Sequence, residues 1–280
     1  MVEIGFIQIK NAVREALLAG LCRVEPEMTE LLERAGERET SPAARYCLEV
    51  IAENNREAEK TRSPACQDTG LVLFFVRLGR ETRIEGGLLS DALNAAVGEA
   101  YAAGSFRLSV CDPLTREPSG GNTPAVIYTE IAGGGGLTID WLIKGAGAEN
   151  MSALKMPYPN EGERGIVDAC VAAVKSAGSK PCPPIILGVG VGGTADKALQ
   201  LSKYALTRET GKPSENAAAA QLEQKIMEAV NGLGIGVQGF GGPNTCLAVH
   251  VETYPTHIGM LPVGISVQCH SVRRGRVEFN

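Results

Sequence analysis

Apolar residues recur at three- and four-residue spacing through most of the first sixty positions, and the pattern breaks near Glu25-Pro26 and at Thr40-Ser41-Pro42. That spacing predicts two or three amphipathic helices, with Ser41 able to cap and Pro42 to occupy the first turn of the last one. The pattern then changes. Leu71-Val72-Leu73-Phe74-Phe75-Val76 is a short, continuous apolar run rich in aromatic and branched side chains, which predicts a buried strand. Residues 90–103 return to helical spacing and stop at Gly104. Residues 125–132 and 137–143 read as strands separated by Gly133-Gly134-Gly135-Gly136, and so predict a hairpin. Helical patterns at 162–177, 195–206 and 216–230 then alternate with strand-like runs at 185–191, 246–251 and 261–267. The expected fold class is α/β, with mixed sheets flanked by helices and a helical N-terminal part over residues 1–60. No internal repeat, charge block or low-complexity linker marks a boundary, so residues 1–280 are read as a single domain.

Composition changes this picture little: 44% hydrophobic and 21% charged residues describe an ordinary globular chain. A formal net charge of −5 and a sequence pI near 5.4 argue against nucleic acid or an anionic membrane as the main partner, since either rewards a basic surface. Small anions remain open, because a pocket can be locally basic. The chain has no run of about 18 apolar residues, and Met1 to Leu18 lacks the three-part layout of a signal peptide. A cytoplasmic protein is therefore expected. There thiols stay reduced, and eight cysteines are better explained as small apolar fillers plus a few ligands than as four disulfides.

Cys22, Cys47 and Cys170 lie within apolar helical patterns, and Cys111 and Cys246 also read as filler. Cys66, Cys182 and Cys269 occur in more biased settings. Cys66 is followed by Gln67-Asp68-Thr69-Gly70, which places an amide and a titratable carboxylate beside a soft ligand, although Asp68 could equally close an Asx turn. Cys182 is bracketed by Pro181, Pro183 and Pro184, which predict a rigid extended loop. Cys269 follows His257 by twelve residues, and a histidine carries protons near neutral pH. Three thiolates on separate loops can hold an iron–sulfur cluster by three of its irons. On the residues alone, filler, a redox sensor, an electron carrier and a metal site all stay open. Arg107 reads as a surface charge or as a bidentate carboxylate clamp, while Arg273 and Arg274 face either a partner or solvent, with solvent the default. Gly188-Val189-Gly190-Val191-Gly192-Gly193 formally matches a dinucleotide fingerprint, but no second strand ending in an acidic residue follows at the required distance. A tight strand-to-helix turn is the stronger reading, with a nucleotide-dependent oxidoreductase as its rival.

Taken together, Cys66 to Gly70, Asp112-Pro113-Leu114 with Asn122-Thr123-Pro124, Lys144 to Ser152, Cys182-Pro183-Pro184 with Gly188 to Thr194, and the His257 to Cys269 stretch resemble the class I fumarases. The likeness runs in order over roughly residues 60–270. It is nearest to the alpha subunit of the two-subunit form, and L-tartrate dehydratase alpha subunits share the cysteine motifs. Ala146 and Ala148 depart from the family pattern, which often has glycine and serine there. The resemblance implies a [4Fe–4S] cluster held by Cys66, Cys182 and Cys269, with one iron open to substrate. It implies that Gln67, Asp68, Arg107 and the Gly147 backbone contact a small dicarboxylate, fumarate or malate, and that Asp68 and His257 move protons at the hydroxyl. It also implies a hetero-oligomer, because the base that takes the C3 proton, a threonine in the family, belongs to a beta subunit. The expected activity is reversible hydration of fumarate, with tartrate dehydration as the alternative.

Overall fold

The computed structural model describes residues 1–280. In chain order the elements are β1 (Val2–Gly5), α1 (Phe6–Cys22), α2 (Pro26–Arg38), α3 (Pro42–Thr61), β2 (Leu71–Gly79), β3 (Thr82–Glu85), α4 (Leu89–Ala103), β4 (Val126–Ala132), β5 (Leu137–Lys144), α5 (Ala146–Glu149), β6 (Ala153–Lys155), α6 (Gly162–Ala177), β7 (Ile185–Gly192), α7 (Ala195–Ala205), α8 (Ala217–Asn231), β8 (Cys246–Tyr254), β9 (Val263–Gln268) and β10 (Arg274–Phe279). The α/β class and the helical N-terminal region are as expected. Three helices form in the first sixty residues, and the Ser41 hydroxyl accepts the Ala44 amide at the start of α3. No helix is long and apolar enough to cross a membrane.

The chain divides into two compact units: Met1–Val24 with Asn55–Ala146 and Arg273–Asn280, and Glu25–Asn54 with Gly147–Val272. The first unit is built on a four-stranded sheet of order β10-β5-β2-β4, with β1 and β3 forming a separate parallel pair. One face of β2 and β5, carrying Val72, Phe74, Ile139, Trp141 and Ile143, packs against α1 and α4 through residues such as Val13, Leu17, Leu93 and Val97. Leu73 and Phe75 on the opposite face of β2 are buried as well, which is why its first six residues are all apolar.

The hairpin expected across the four glycines does not form. β4 pairs with β2 in parallel and β5 pairs with β2 antiparallel, so β2 lies between them. The glycine run instead wraps the end of β2: Gly79 and Glu81 amides donate to Gly136 and Gly134 carbonyls, and a Cβ on Gly79 would fall 2.6 Å from the Gly134 oxygen. A strand buried on both faces recovers more from a central place than from an edge, and this outweighs the short connection.

The second unit carries the sheet β6-β9-β7-β8. Ile185, Leu187 and Val189 of β7 face α6 and α8 in its core. The opposite face carries Gly188, Gly190 and Gly264, and a Cβ on each would lie 2.0, 2.1 and 2.3 Å, respectively, from a carbonyl oxygen of α7. These glycines let the helix backbone rest directly on the sheet, which accounts for most of the fingerprint-like motif as packing.

Candidate active site

Register places the chemistry. In the first unit β5 runs antiparallel to β2 and β10, while β4 runs parallel to β2. The segment before β2 (Cys66 to Gly70), the segment before β4 (Asn122 to Pro124), the residues after β5 (Gly145, Ala146) and Arg273 before β10 therefore all emerge at one end of the sheet. Hydrogen bonds join them. Asp68 Oδ1 accepts the Gly70 amide at 3.0 Å, closing the Asx turn, and Oδ2 accepts the Ala146 amide at 2.7 Å. Thr69 Oγ1 donates to the Arg107 carbonyl at 2.6 Å. The Tyr101 hydroxyl donates to the carbonyls of Thr69 and Gly70, and burial pushes that phenol well above its ordinary pKa.

Asn122 is the hub of this end. It is fully buried at φ +56°, a conformation asparagine tolerates. Its Oδ1 accepts the Ser109 and Val110 amides at 2.7 and 3.2 Å, and its Nδ2 donates to the Gly70 carbonyl at 3.0 Å. The Cys66 loop and the Arg107 segment are thereby tied to one side chain. Gln67 and Arg107 themselves are exposed, and the Cys66 thiol lies 3.6 Å from Gln67 Oε1. Of the residues implicated by sequence, this unit brings together Cys66, Gln67, Asp68 and Arg107.

In the second unit Cys182 precedes β7 and Cys269 follows β9, and Ile186 pairs with Gln268. Both cysteines consequently stand at the same end of that sheet. Gly147 belongs here too, since a Cβ on it would lie 3.4 Å from the Lys180 carbonyl. Cys182 is exposed and adopts φ +55° instead of the extended backbone its prolines suggested. The reason is local: the Cys182 amide donates to the Ser179 carbonyl, and Pro183 O accepts both the amide and the side chain of Gln238, bending the segment into a turn. A non-glycine residue at that φ costs of order 1–2 kcal/mol and is characteristic of functional loops.

His257 is placed elsewhere. β7 and β8 run parallel, pairing Ile185 with Cys246 and Gly192 with Tyr254, so the loop after β8 lies at the far end of the sheet from Cys182 and Cys269. Eight strand residues at about 3.3 Å each put it roughly 25 Å away. Its Nδ1 accepts the Gly259 amide at 3.0 Å, which leaves Nε2 of the exposed ring to carry a proton. The Thr256 hydroxyl donates to the Gly193 carbonyl, and the Gly193 amide to Pro255, so Gly192-Gly193 anchors this loop. Asp112 holds a turn: its Oδ1 accepts the Leu114 and Thr115 amides, which keep the exposed carboxyl below its usual range.

The cysteines separate by environment. Cys170 and Cys246 are buried, and desolvation pushes each thiol up to about 12, leaving them protonated and inert. Cys22 is shifted in the same direction for the same reason, and donates to the Arg62 carbonyl. Cys66, Cys182 and Cys269 are all partly or fully accessible, as are Cys47 and Cys111, and no cysteine is in a disulfide. No three His, Cys, Asp or Glu side chains form a group arranged to hold a metal ion; the three cysteines are divided, Cys66 in the first unit and the other two in the second. Each is nonetheless a partly or fully accessible thiol on a loop at a sheet end, the type of donor an iron–sulfur cluster takes.

Sequence reasoning missed Arg273 and Arg274, expected in solvent. They are 1% and 6% exposed. The alternation through β10, with Val277 and Phe279 against the core and Arg276 and Glu278 outward, was the available signal for a strand beginning here. Two open cavities, one lined by Leu31, Arg38 and Met227 and the other by Leu18, Cys22 and Phe106, do not include Cys66, Cys182 or Cys269 in their walls.

Residues 10–278 match the family described as Fumarate hydratase (Fumerase). A protein of Methanocaldococcus jannaschii, provisionally named L(+)-tartrate dehydratase subunit alpha, is 38% identical over 274 residues, covering 96% of each chain. L(+)-tartrate dehydratase subunit alpha of Escherichia coli strain UTI89 is 30% identical over 262 residues, 92% of this chain and 86% of its own. The corresponding subunit of strain K12 is 30% identical over 257 residues, 90% and 84% of the two chains. With a match over nearly its whole length, the chain belongs to the fumarate hydratase family of hydro-lyases.

Proposed function

We propose that this chain is the alpha subunit of a cytoplasmic, [4Fe–4S]-dependent hydro-lyase that interconverts fumarate and (S)-malate and is completed by a beta subunit. The observation that carries the reading is the sheet end in the first unit, where an accessible thiol, an oriented carboxylate and an exposed arginine share one hydrogen-bonded loop system. Cys66, Cys182 and Cys269 would hold the cluster, which when bound supplies Lewis-acid polarisation of the substrate hydroxyl. Arg107 offers a planar fork to one carboxylate, and the Gln67 amide and Gly147 main chain add neutral hydrogen bonds. Asp68, its two oxygens already oriented by main-chain amides, moves the proton at the hydroxyl oxygen. The base acting at C3 comes from the beta subunit.

His257 is the second proton carrier in this reading, through Nε2. Because its loop is at the opposite end of the sheet from Cys182 and Cys269, it serves the site from another copy of the chain. Co-expressed Asp68→Asn and His257→Ala chains should then recover part of the activity that each alone lacks, and failure of complementation would remove His257 from the mechanism.

A second reading, L-tartrate dehydratase alpha subunit, is favoured by the names of the relatives. Anaerobic co-purification with the beta subunit, followed by parallel assays, separates the two. The proposal expects a higher kcat/KM for fumarate than for L-tartrate, and the reverse order would replace the substrate. A purely electron-carrying cluster protein would show no spectral response to either acid.

A further inference from the structure

Arg273 is among the largest fully buried side chains of the chain. Its Nη1 donates to the main-chain carbonyl of Asp68 at 2.7 Å, while Nε and Nη2 are buried without partners. A buried guanidinium with an open edge is costly, and core stability alone would be better served by an apolar residue. Its location is specific. The Arg273 carbonyl accepts the Ile143 amide and Arg274 pairs with Leu142, so strand β10 fixes the backbone beside the end of β5. From β5 come Gly145 and the Ala146 amide that holds Asp68 Oδ2. A Cβ at Gly145 would stand 3.1 Å from Asp68 Oδ2 and 3.7 Å from Arg273 Nη2, so carboxylate and guanidinium both border the space that the missing side chain leaves open. Three neighbouring strands, β10, β5 and β2, thus each deliver one part of a single arrangement around Asp68.

We propose that Arg273 is the positioning residue of Asp68: it holds the Asp68 carbonyl, and with Gly145 and Ala146 it fixes where the carboxylate points. This rests on the reading of Asp68 as the residue that handles the substrate hydroxyl. The test uses Arg273→Met and Arg273→Lys in the full chain and in the reconstituted complex with the beta subunit. Arg273→Met should lower kcat by about 100-fold with KM changed by less than about threefold, as expected for a misplaced group, with iron content retained. Arg273→Lys, which can still donate to the Asp68 carbonyl, should recover at least about tenfold of that loss. On an Asp68→Asn background, Arg273→Met should add little, because two residues acting through one group are not additive. Independently of turnover, the Ala146 amide of the unloaded full chain should exchange hydrogen faster in Arg273→Met. Full additivity with Asp68→Asn, unchanged Ala146 exchange or an undiminished kcat would overturn the proposal. If Arg273→Met fails to fold, Arg273→Gln, a shorter and neutral polar side chain, carries the same comparisons. A native complex inactive on every dicarboxylate would refute the proposed function, while the exchange measurement would still decide the role of Arg273.

Discussion

Replacing Asn122 removes the side chain that ties the Cys66 loop to the Arg107 segment, and the loss can be worked from its contacts. Three hydrogen bonds disappear, from the Ser109 and Val110 amides and to the Gly70 carbonyl. The Gly70 oxygen keeps its bond from Tyr101, and the two amides lie in a segment that water can reach, so about 2–3 kcal/mol is expected from this source. Backbone conformation adds a second contribution. At φ +56° alanine is strained by about 1 kcal/mol and glycine is not. Asn122→Ala should therefore lose about 3–4 kcal/mol and Asn122→Gly about 1 kcal/mol less, the reverse of the usual order of alanine and glycine. The chain's single tryptophan, Trp141, is buried in β5 of the same unit, wedged against Gly20 and Gly275, so its fluorescence in urea reports the unfolding of this unit. Equal stability of the two variants, or a loss below about 1 kcal/mol in both, would refute the role given to Asn122.

Other outcomes follow from the same geometry. Serine at Cys66, Cys182 or Cys269 should abolish iron retention after anaerobic reconstitution, measured by iron assay, whereas alanine at Cys170 or Cys246 should leave it intact. Those two buried thiols have folded-state pKa values raised to about 12 from about 9. Their contribution to stability is complete below pH 9 and is lost as pH rises toward 12, since only the unfolded chain ionises in that window. Calorimetry should show this alkaline loss, and a Cys170→Ala, Cys246→Ala variant should flatten it. Gly190→Ala would force a Cβ to within 2.1 Å of the Ala198 oxygen and should cost more than about 3 kcal/mol by thermal unfolding; near-native stability with altered NAD binding would revive the nucleotide reading.

Much of this architecture was legible because it is local. The helices 162–177 and 217–231 and strand β2 announce themselves by period, and Asn216 caps α8 as its residue type suggests. What was not legible depends on distant partners. Val2–Gly5 becomes a strand only because Thr82–Glu85 lies beside it, and four glycines between two strands look like a hairpin until a doubly buried strand is inserted between them. The division into two units leaves no trace in composition, since the chain passes between them at Val24, Asn54, Ala146 and Val272 without a linker. For the site, the motif residues were visible by type and neighbour. The burial of Arg273 was not, because charged residues are exposed by default and only the pairing of β10 with β5 carries this one inside. Nor could spacing reveal that His257, twelve residues from Cys269, stands a full strand length away from it, at the other end of the sheet.

The central claim is that this chain binds a four-carbon dicarboxylate at a cluster held by three cysteines on loops. The most direct measurement adds malate to the anaerobically reconstituted complex of this chain with its beta subunit, and follows the cluster spectrum and the formation of fumarate together. A saturable spectral shift accompanied by fumarate is the predicted result. A complex with its full complement of iron that neither shifts nor dehydrates malate would contradict the account.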